Sequence, residues 1–559
     1  MSSPVVLVVG AGPAGLVAAL SLTQNGIPVR IIDKDENFHT GSRGFGMQPR
    51  TFELFETMGV YDDIKHFAVP IPTMRAYKLP GGTVPVKTWD LYEKGEVWPD
   101  RPFANGACVS QDSLESVLRQ HLSQHRISVE LGRGLTALEQ NDDAVVASVT
   151  TFKDGQPTGE VEKVSVKYLI GSDGAKGIFE KLLNLTFQGE TRDADGMVWG
   201  DVQIKGLPTD YWHIWGKPGH YTIMARPLNP SGDRFGVGIT GQNFDPVDLA
   251  DPAKAIEFIH NETGRTDLEF GEFTWISHFK PNMRMVNKFQ EGRAFVVGDS
   301  AHVHSPTGGQ GMNCSVQDAS NLAWKLALVL KGFAATSLLN TYNEERLPVI
   351  TQMLHATTKL YTHTVAKEKA MEPTEKDSTD EDKQSGWFRW RNSALEMYGI
   401  NYRFSSIVLE ERDTRPRDAE DVLAHAYSGY EGRGSLCAGD RAPEAPKLLT
   451  SDGEVSVFKL LKPTVHTVLV FAKEGDLGVT AALANVPPSV VQIFLVAESQ
   501  IPAVPGARTL IDSEGHARKS YMVDEGGSLI IVIRPDTFIG GIVKHASGVR
   551  EYFSKIIVV

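Results

Sequence analysis

The sequence contains few cysteines and no long apolar run, and each absence excludes a class of protein. Its three cysteines, Cys108, Cys314 and Cys437, are far apart and form no Cys-x-x-Cys pair, so we predict neither a disulfide framework nor a metal site. No apolar stretch approaches the roughly 18 residues that a membrane helix needs. The amino terminus has no positively charged segment and no signal-peptide cleavage pattern. We therefore expect a cytoplasmic protein that makes no membrane contact.

Positive charge is also scarce. There are 56 Lys and Arg residues against 69 Asp and Glu residues, and the formal net charge is -13. No basic stripe is present that could displace the counterions of a polyanion, so nucleic acid is not an expected partner. The length of 559 residues corresponds to about three or four domains, or fewer if one is large.

One glycine-rich stretch is the centre of the functional prediction. Residues Val296 to Asn313 join an apolar strand to a helix through the turn Gly-Asp-Ser-Ala-His-Val-His-Ser-Pro-Thr-Gly-Gly-Gln-Gly. Its glycines leave room for a planar ring near the backbone, and the free N–H groups of a helix start favour an anion such as reduced flavin. The motif alone is also compatible with an ordinary strand-turn-helix corner. The residues assigned to the flavin are Asp299, Gly309, Gly311, Met312 and Asn313.

A second glycine-rich turn follows the first strand of the chain. Val5 to Val9 are apolar, Gly10-Ala-Gly-Pro-Ala-Gly15 comes next, and a helix continues the run. A second strand, Val29 to Ile32, ends on Asp33. A strand, this turn, a helix and an acid about 20 residues on form the full dinucleotide fingerprint. The residues assigned to the ADP half of FAD are Gly10, Gly12, Pro13, Ala14, Gly15, Asp33 and Lys34.

The same motif occurs again at Gly236-Val-Gly238-Ile-Thr-Gly241, where its surroundings differ. Charged residues precede it, and Gln-Asn-Phe-Asp-Pro follows where a helix should begin, so the required context is missing. We predict an inner strand with small side chains there, and one dinucleotide fold in the chain.

Three further segments carry polar groups at turns or strand ends. The loop Gly41–Arg50 leads into a helix, Ala107–Leu122 is a strand that passes into a helix, and Lys167–Asp173 is a strand that ends on a carboxylate. Ligands lie at the carboxyl ends of the strands in an open α/β sheet. The residues that these segments offer to a cofactor are Arg43, Asp173 and Gly174, although a solvated surface charge is the more common role of a single arginine. Gln48 and Gln111 are assigned to the cofactor only through resemblance to a known family.

From Met197 to Thr240 the chain changes to short alternating runs rich in Trp, Tyr and His, which is typical of an antiparallel sheet. Such a sheet could cover the flavin ring and form an apolar substrate pocket. Any one of its aromatic residues is more often plain core, and a hydrogen-bonded histidine is more often structural than a base. The pocket candidates are His213, Trp215, Met224, Arg226 and His278.

The remainder of the chain predicts a loop, a helical segment and a last domain. Glu368–Gln384 is charged and free of aromatic residues, which indicates an exposed loop. Trp387–Glu411 has helical periodicity. Beyond Gly432 we expect an α/β unit of about a hundred residues, with strands near 467–471, 490–496 and 528–533.

The segments Gly10–Gly15, Gly171–Gly174 and Gly298–Asn313 resemble, in order and spacing, the single-component FAD-dependent aromatic hydroxylases. Two later segments, Ala438–Pro443 and Arg534–Phe538, are similar to the tail of the phenol hydroxylase-like branch, whose members carry a thioredoxin-like domain. The resemblance covers nearly the whole chain. It implies an α/β fold with a Rossmann-like FAD-binding domain, an inserted antiparallel-sheet substrate domain and a thioredoxin-like domain at the carboxyl end.

The resemblance also implies roles for individual residues. Arg43 and Gln111 match positions on the flavin side, Asp299 the ribityl region, and Asp173 with Gly174 a motif for FAD and NADPH. Pro306 falls where the family directs a backbone carbonyl at the substrate. The substrate residues assigned beside it are Phe45, Trp215 and Met224, and the catalytic ones are Pro306, His213, Arg226 and His278.

This chain departs from the family at three places. After Asp173-Gly174-Ala it has Lys-Gly-Ile-Phe-Glu where the family has Arg-Ser and a further Arg. Phe45 aligns with an active-site Asp of phenol hydroxylases, so a different group must help to deprotonate a phenol. The tail lacks a Cys-x-x-Cys pair, so a structural or dimer-supporting role is expected for it.

The implied reaction is hydroxylation of a phenolic ring by NADPH and O2 through a flavin C4a-hydroperoxide, in a homodimer. The alternatives are a decarboxylating hydroxylase of a hydroxybenzoate, a flavin-bound scaffold without turnover, and a halogenase, whose Trp-x-Trp-x-Ile-Pro signature is absent from the sequence. The expected domains are residues 1–190 and 286–365 for the two parts of the FAD-binding domain, 191–285 for the substrate domain, 366–432 for a mobile charged loop and helical linker, and 433–559 for the thioredoxin-like domain.

Overall fold

The computed structural model of the chain describes residues 4–92, 94–191, 196–217, 220–229, 232–241, 244–280, 282–304, 308–365, 396–412, 425–432, 434–473 and 475–558. Pro306, the charged loop predicted at Glu368–Gln384 and the segment Trp387–Trp390 lie outside these ranges. The described helices are α1 (Pro13–Gln24), α2 (Pro49–Thr57), α3 (Tyr61–Ile64), α4 (Gln111–Gln124), α5 (Phe179–Leu182), α6 (Pro252–Thr263), α7 (Gly311–Leu330), α8 (Asn340–Val365), α9 (Val457–Leu460), α10 (Val479–Ala482), α11 (His516–Ser520) and α12 (Ala546–Ser554).

The first sheet, called the nucleotide sheet, is built around the strand Val6–Val9, all of whose side chains are buried. A strand buried on both faces is typical of a parallel sheet covered by helices, and here α1 packs against both α4 and α7. The strand pairs in parallel with Val29–Ile32 and with Tyr168–Gly171. In spatial order the strands are Gln290–Glu291, Ala294–Val296, Tyr168–Gly171, Val6–Val9, Val29–Ile32 and Val129–Glu130.

The second sheet, called the substrate sheet, has the antiparallel pairing that the alternating sequence predicts, and the strand predicted at Gly236–Gly241 lies inside it. Two strands come from much earlier in the chain, and one of them, Thr73–Tyr77, pairs in parallel with Tyr211–Lys217. The expected range 191–285 therefore lacks part of this sheet. Its strands in spatial order are Glu269–Phe279, Gly196–Lys205, Arg234–Gly241, Tyr221–Pro227, Tyr211–Lys217, Thr73–Tyr77 and Pro85–Trp89.

The substrate sheet has two apolar faces. One face packs on α6 through residues such as Trp215, Ile223 and Ile259, and we call it the α6 face. The other face packs with Phe45 from the loop before α2, and we call it the flavin face. Side chains alternate between faces along a strand, so the position of a residue in its strand decides which face it occupies.

Three smaller sheets complete this half of the molecule. A hairpin extension contains Arg133–Gln140, Val145–Lys153 and Gln156–Val166. A second contains Phe187–Thr191, Asn282–Val286 and His302–Val303. A third contains Gly46–Met47, Val69–Pro70 and Ala107–Cys108.

The tail sheet is mixed and has an apolar core on each side. Its central strand, His466–Phe471, is parallel to Val491–Ala497 and antiparallel to Leu529–Ile533, near the three predicted positions. The thioredoxin-like assignment of this domain stays a prediction. In spatial order the strands are Leu409–Glu410, Ile539–Val543, Leu529–Ile533, His466–Phe471, Val491–Ala497, Arg508–Ile511, Leu448–Thr450 and Gly453–Val455.

The helical periodicity predicted for Trp387–Glu411 is wrong for its described part. Residues 396–411 form turns and the short strand Leu409–Glu410. Their apolar side chains are divided among three core clusters, with Ile400, Ile407 and Val408 in different ones, rather than gathered on one helix face. Among the described residues, no helix is long and apolar enough to cross a membrane.

Candidate active site

The turn at the end of the first strand is shaped by three glycines with different surroundings. Gly10 has a φ of +104°, and a Cβ there would lie 2.2 Å from the carbonyl oxygen of Ser172. A Cβ on Gly15 would lie 2.0 Å from the Gly10 oxygen. Gly12 differs, because a Cβ on it would meet no described protein atom within 4 Å. The turn is thus closed against the protein at Gly10 and Gly15 and open at Gly12, where α1 begins.

The second glycine-rich stretch lies directly against this turn. Gly298 has a φ of +60°, and a Cβ there would lie 3.1 Å from Ala14 Cβ. The strand that leads into Gly298 is separated from Val6–Val9 by one strand of the nucleotide sheet. The structure therefore brings together the two segments that the sequence assigns to one flavin nucleotide.

Asp33 stands at the end of the neighbouring strand, where a ribose contact is predicted. Its Oδ2 accepts a hydrogen bond of 2.7 Å from the Ala11 N–H, and its Oδ1 accepts one of 3.0 Å from the Asp35 N–H. These bonds fix the half-buried carboxylate beside the glycine turn, and Lys34 is exposed next to it.

Asp173 stabilises its own turn by hydrogen bonds, in addition to its predicted role as a cofactor contact. Its carboxylate accepts hydrogen bonds from the Ile178 N–H at 2.7 Å and from Ser300 Oγ at 2.9 Å, while the Gly174 N–H donates to Ser300 Oγ. Burial raises the pKa of Asp173. A Cβ on Gly177 would lie 2.0 Å from Asp173 Oδ1, so the glycine in the departure from the family allows this carboxylate to fold back onto its own turn.

Asp299 and the first residues of α7, Gly311, Met312 and Asn313, are the groups predicted to lie against the flavin, and we call them the flavin floor. The Asp299 side chain is exposed, yet burial of its surroundings raises its pKa; a carboxylate that lines a cleft shows both properties. The first hydrogen bond within α7 runs from the Cys314 N–H to the Gln310 oxygen at 2.9 Å. The N–H groups of Gly311, Met312 and Asn313 precede that bond and are the groups that a helix start leaves for a ligand.

The Asn313 side chain joins two loops. Its Oδ1 accepts hydrogen bonds from the Gln48 N–H at 2.8 Å and from Thr51 Oγ1 at 2.6 Å, and its Nδ2 donates to the oxygens of Gly46 and Gly309. The start of α7 is therefore linked to the start of α2. Gln48 is buried and donates its amide to the Gly308 oxygen, so its predicted cofactor role comes with a structural one.

The loop that carries Arg43 is held on both sides. Ser42 donates its N–H and its hydroxyl to the buried Asp201 at 2.6 and 2.7 Å, and the Gly44 N–H donates to Gln111 Oε1 at 3.2 Å. Arg43 itself is exposed. Asp201 is not predictable from the sequence, because a lone acid in an aromatic strand is not a motif.

Phe45 enters the flavin face of the substrate sheet, in a cluster that we call the aromatic chamber. It also contains Trp199, Trp212, Met224 and Arg226. The Phe45 ring centroid lies 6.4 Å from that of Trp199 and 6.0 Å from that of Trp212. Phe45 lies between Gly44 and Gly46, which approach Met312 and Gly309. Phe45 of the aromatic chamber is therefore adjacent in sequence to two glycines that lie against the flavin floor.

Arg226 is the charged group of the aromatic chamber. Its guanidinium carbon lies 3.0 Å from the Phe45 ring centroid, and the side chain is 1% exposed. Its Nε and Nη1 have no hydrogen-bond partner among the described residues, and the same holds for Trp212 Nε1. Burial lowers the pKa of Arg226 to about 10, so the side chain stays cationic at neutral pH. A buried cation with two N–H groups that lack partners is costly unless a ligand accepts hydrogen bonds from them.

The two glycines of the rejected motif make space in the aromatic chamber. A Cβ on Gly238 would lie 2.6 Å from the Trp199 ring, and one on Gly236 would lie 3.3 Å from Arg226 Nη2. The glycines of Gly236–Gly241 therefore have a steric role, because they leave room beside their strand for the side chains of Trp199 and Arg226. Trp199 and Trp212 are not predicted from the sequence, because alternation separates the two faces of each strand without showing which face meets Phe45.

The alternation of side chains along the strands places three of the predicted pocket residues on the other face of the sheet. His213 pairs with Ala225, and His278 pairs with Val198; Ala225, Val198 and Trp215 belong to the α6 face. His213, Trp215 and His278 therefore lie on the side of the sheet that faces away from Phe45. Met224 and Arg226 lie on the flavin face, the same side as Phe45.

His213 is also engaged at both ring nitrogens. Its Nε2 donates to the Pro208 oxygen at 2.7 Å, so its Nδ1 accepts the hydroxyl hydrogen of Tyr77 at 2.6 Å. Burial lowers the pKa of His213 to about 4. It is a neutral structural histidine and not the expected base.

We expect this histidine to make the protein less stable in acid. Its pKa is about 4 in the folded protein against an ordinary 6.5, so the unfolded chain binds more protons between these values, and stability falls by about 3 kcal/mol as the pH drops from 6.5 to 4. Thermal unfolding of wild type and His213→Phe across this range checks it. The variant should show the shallower decline, and equal slopes would contradict the assignment.

Comparison with known proteins defines the class of the chain. The FAD binding domain family matches residues 3–357, and the chain belongs to this family. This confirms the resemblance drawn from the glycine-rich segments and makes FAD the cofactor of the site.

Individual relatives extend over nearly the whole chain. A flavin-dependent monooxygenase of Mycobacteroides abscessus is 30% identical over 99% of this chain and 100% of the relative. Pentachlorophenol 4-monooxygenase of Sphingobium chlorophenolicum is 27% identical over 96% of this chain and 93% of the relative. Among solved structures, the flavin-dependent monooxygenase PieE with FAD and substrate has a TM-score of 0.79 at 22% identity, covering 99% of this chain and 98% of that one. The predicted α/β fold class with a FAD-binding domain is confirmed.

The residues present fit FAD. Gly12 leaves open space for a pyrophosphate, Asp33 is fixed beside that turn where a ribose contact is predicted, and Asp299 is exposed next to Gly298, which lies against the same turn. Among the described residues, no group of three His, Cys, Asp or Glu side chains could hold a metal ion.

Proposed function

We propose that the protein is an FAD-dependent monooxygenase that hydroxylates a phenolic aromatic substrate with NAD(P)H and O2. The observation that carries this proposal is the buried Arg226, which lies without hydrogen-bond partners at Nε and Nη1 on an aromatic chamber one residue from the flavin floor. The names of the relatives, a flavin-dependent monooxygenase and a pentachlorophenol 4-monooxygenase, support the same chemistry.

Bound FAD supplies electron transfer from NAD(P)H and activation of O2. One oxygen atom enters the ring as a hydroxyl group, and the other leaves as water while NAD(P)H is oxidised. Gly12 and Asp33 would hold the ADP half of FAD and Asp299 its ribityl region, and the N–H groups at the start of α7 would stabilise negative charge on the reduced ring. The apolar side chains of the aromatic chamber keep water away from the reacting atoms.

Arg226 has the task that an acid performs elsewhere in the family. A phenol becomes reactive toward an electrophilic oxygen when it loses its proton, and a buried guanidinium stabilises the phenolate that results. Cys108 also contacts this group, but burial raises the pKa of its thiol, so the thiol stays protonated. Arg226 thus favours the phenolate by charge, without acting as a base.

Other parts of the assignment are proposals that follow from the resemblance. They comprise NADPH as the electron donor, a homodimer, a cytoplasmic location, the domain boundaries other than that of the substrate domain, and a substrate-directed carbonyl at Pro306, which lies outside the described residues. The proposed cofactor contacts remain Gly10, Gly12, Pro13, Ala14, Gly15, Asp33, Lys34, Arg43, Gln48, Gln111, Asp173, Gly174, Asp299, Gly309, Gly311, Met312 and Asn313. Phe45 and Met224 remain the proposed substrate contacts.

The test uses the purified holoprotein and a panel of phenols and hydroxybenzoates. We expect a yellow protein whose NADPH oxidation and O2 uptake accelerate with a matching phenol, and a product that carries one additional hydroxyl group by mass spectrometry. Release of CO2 from a hydroxybenzoate would identify the decarboxylating alternative. A protein that retains FAD but shows no substrate-stimulated O2 uptake across the panel would be a scaffold, and the proposal would fail.

A further inference from the structure

Two tail segments that the flavin chemistry does not use meet at the foot of α2. Arg441 belongs to Ala438–Pro443 and Thr537 to Arg534–Phe538, and both side chains are fully buried. Their partners are Arg50 and Glu53 of α2, which are also fully buried. The tail therefore places polar groups inside the FAD-binding half of the molecule.

The contacts form one continuous set. Arg50 donates to Glu53 Oε2 at 2.7 Å and to Thr537 Oγ1 at 2.6 Å. Arg441 donates to the other Glu53 oxygen at 2.9 Å. The Arg50 guanidinium also lies 4.7 Å from the Phe538 ring centroid. One carboxylate with an arginine on each oxygen is a strong and directional arrangement in a buried site.

Thr537 is held in an unfavourable backbone conformation. Its φ is +63°, a region that β-branched residues rarely adopt. Its N–H donates to the Arg534 oxygen, and its own oxygen accepts the Ala442 N–H. The tail thus fixes the strained residue by hydrogen bonds on both sides, with its hydroxyl on Arg50.

A second set of contacts joins the same tail segment to α7 and α8. Arg534 donates to both oxygens of Glu345 at 2.7 and 2.9 Å. Asn321 of α7 donates to Glu345 and to Asp536. The segment therefore contacts α2, α7 and α8, and α7 carries the flavin floor at its start.

The path from Arg50 to the flavin floor is short. Gln48 and Thr51 flank Arg50, and both donate to Asn313 Oδ1. Asn313 Nδ2 donates to the oxygens of Gly46 and Gly309. The Asn313 side chain therefore couples the position of α2 to the position of the first turn of α7.

We propose that the tail domain positions the flavin floor, with Arg50 and Thr537 as positioning residues for FAD. Thr537 holds Arg50, Arg50 fixes the start of α2, and Asn313 transmits that position to the N–H groups that face the flavin. The proposal rests on FAD binding at this site and is independent of which substrate is hydroxylated.

The test is FAD titration of apoprotein, without substrate, for Thr537→Val and Thr537→Ser. Valine keeps the shape and loses the hydroxyl, whereas serine keeps the hydroxyl. We expect Thr537→Val to raise the Kd for FAD at least tenfold and to shift the visible spectrum of the bound flavin. Thr537→Ser should restore both values.

Tyr521→Phe is the matched control, because the Tyr521 hydroxyl donates to the Pro443 oxygen at 2.8 Å within the tail and is equally buried. It should leave the Kd for FAD unchanged. Equal FAD affinity in wild type and Thr537→Val, or an equal loss in Tyr521→Phe, would overturn the proposal. If Thr537→Val does not fold, Arg50→Lys is titrated instead, and an unchanged Kd there has the same meaning. Missing hydroxylation with normal FAD titrations would refute the proposed function alone.

Discussion

Gly12→Val should fold as the wild type does and lose FAD binding by at least a hundredfold. Gly12 has φ -72° and ψ -178°, a conformation open to any residue, and a Cβ there meets no described protein atom within 4 Å. The valine side chain would instead occupy the space in which the pyrophosphate approaches the start of α1. Thermal unfolding of the apoprotein and FAD titration measure the two effects separately.

Gly10→Ala provides the contrast for this experiment. Its Cβ would lie 2.2 Å from the Ser172 oxygen, on a residue with φ of +104°, so the nucleotide sheet itself must deform. We expect a large loss of apoprotein stability there. If Gly12→Val bound FAD normally, the phosphate position at α1 would be wrong.

Arg226→Met should lower kcat/KM for the phenolic substrate by about 100-fold, equal to about 2.7 kcal/mol, as removal of one charge-stabilising donor does elsewhere. The same change should raise the melting temperature, because an apolar chain of similar length replaces a buried cation whose Nε and Nη1 lack partners among the described residues. FAD affinity should not change, since Arg226 contacts the chamber and not the flavin residues. Steady-state kinetics, thermal unfolding and FAD titration check the three parts.

Arg226→Lys tests the origin of the effect. It keeps the charge but loses the planar donors, so we expect an intermediate kcat/KM. A lower activity that came with a lower melting temperature in Arg226→Met would instead indicate a purely structural arginine.

The sequence was most informative where a motif and its flanking elements agreed. Gly10–Gly15 is preceded by a strand and followed by a helix, and the structure has both. The aromatic strands are predictable from the sequence, but their faces are not: alternation separates His213 and Trp215 from Trp212 without showing which group meets the flavin. A one-residue change reverses that choice.

Other features depend on contacts between distant residues. The strand Thr73–Tyr77 joins the substrate sheet through a parallel pairing with Tyr211–Lys217, which no local pattern encodes. Asp201 is a lone acid in the sequence and becomes important only because Ser42 folds onto it. In the sequence, Gly177 is only a replacement of the serine found in the family. The structure shows that this glycine leaves room for the Asp173 carboxylate to fold back over it.

The contact between Thr537 and Arg50 also bears on the order in which the protein is made. Every strand of the nucleotide sheet lies before residue 297, whereas the Thr537 hydroxyl belongs to a much later segment. On the positioning proposal, a nascent chain that stops before Thr537 contains the complete sheet but retains the coenzyme poorly. Loading with flavin would then mark a chain in which the segment Arg534–Phe538 has been translated and packed against α2.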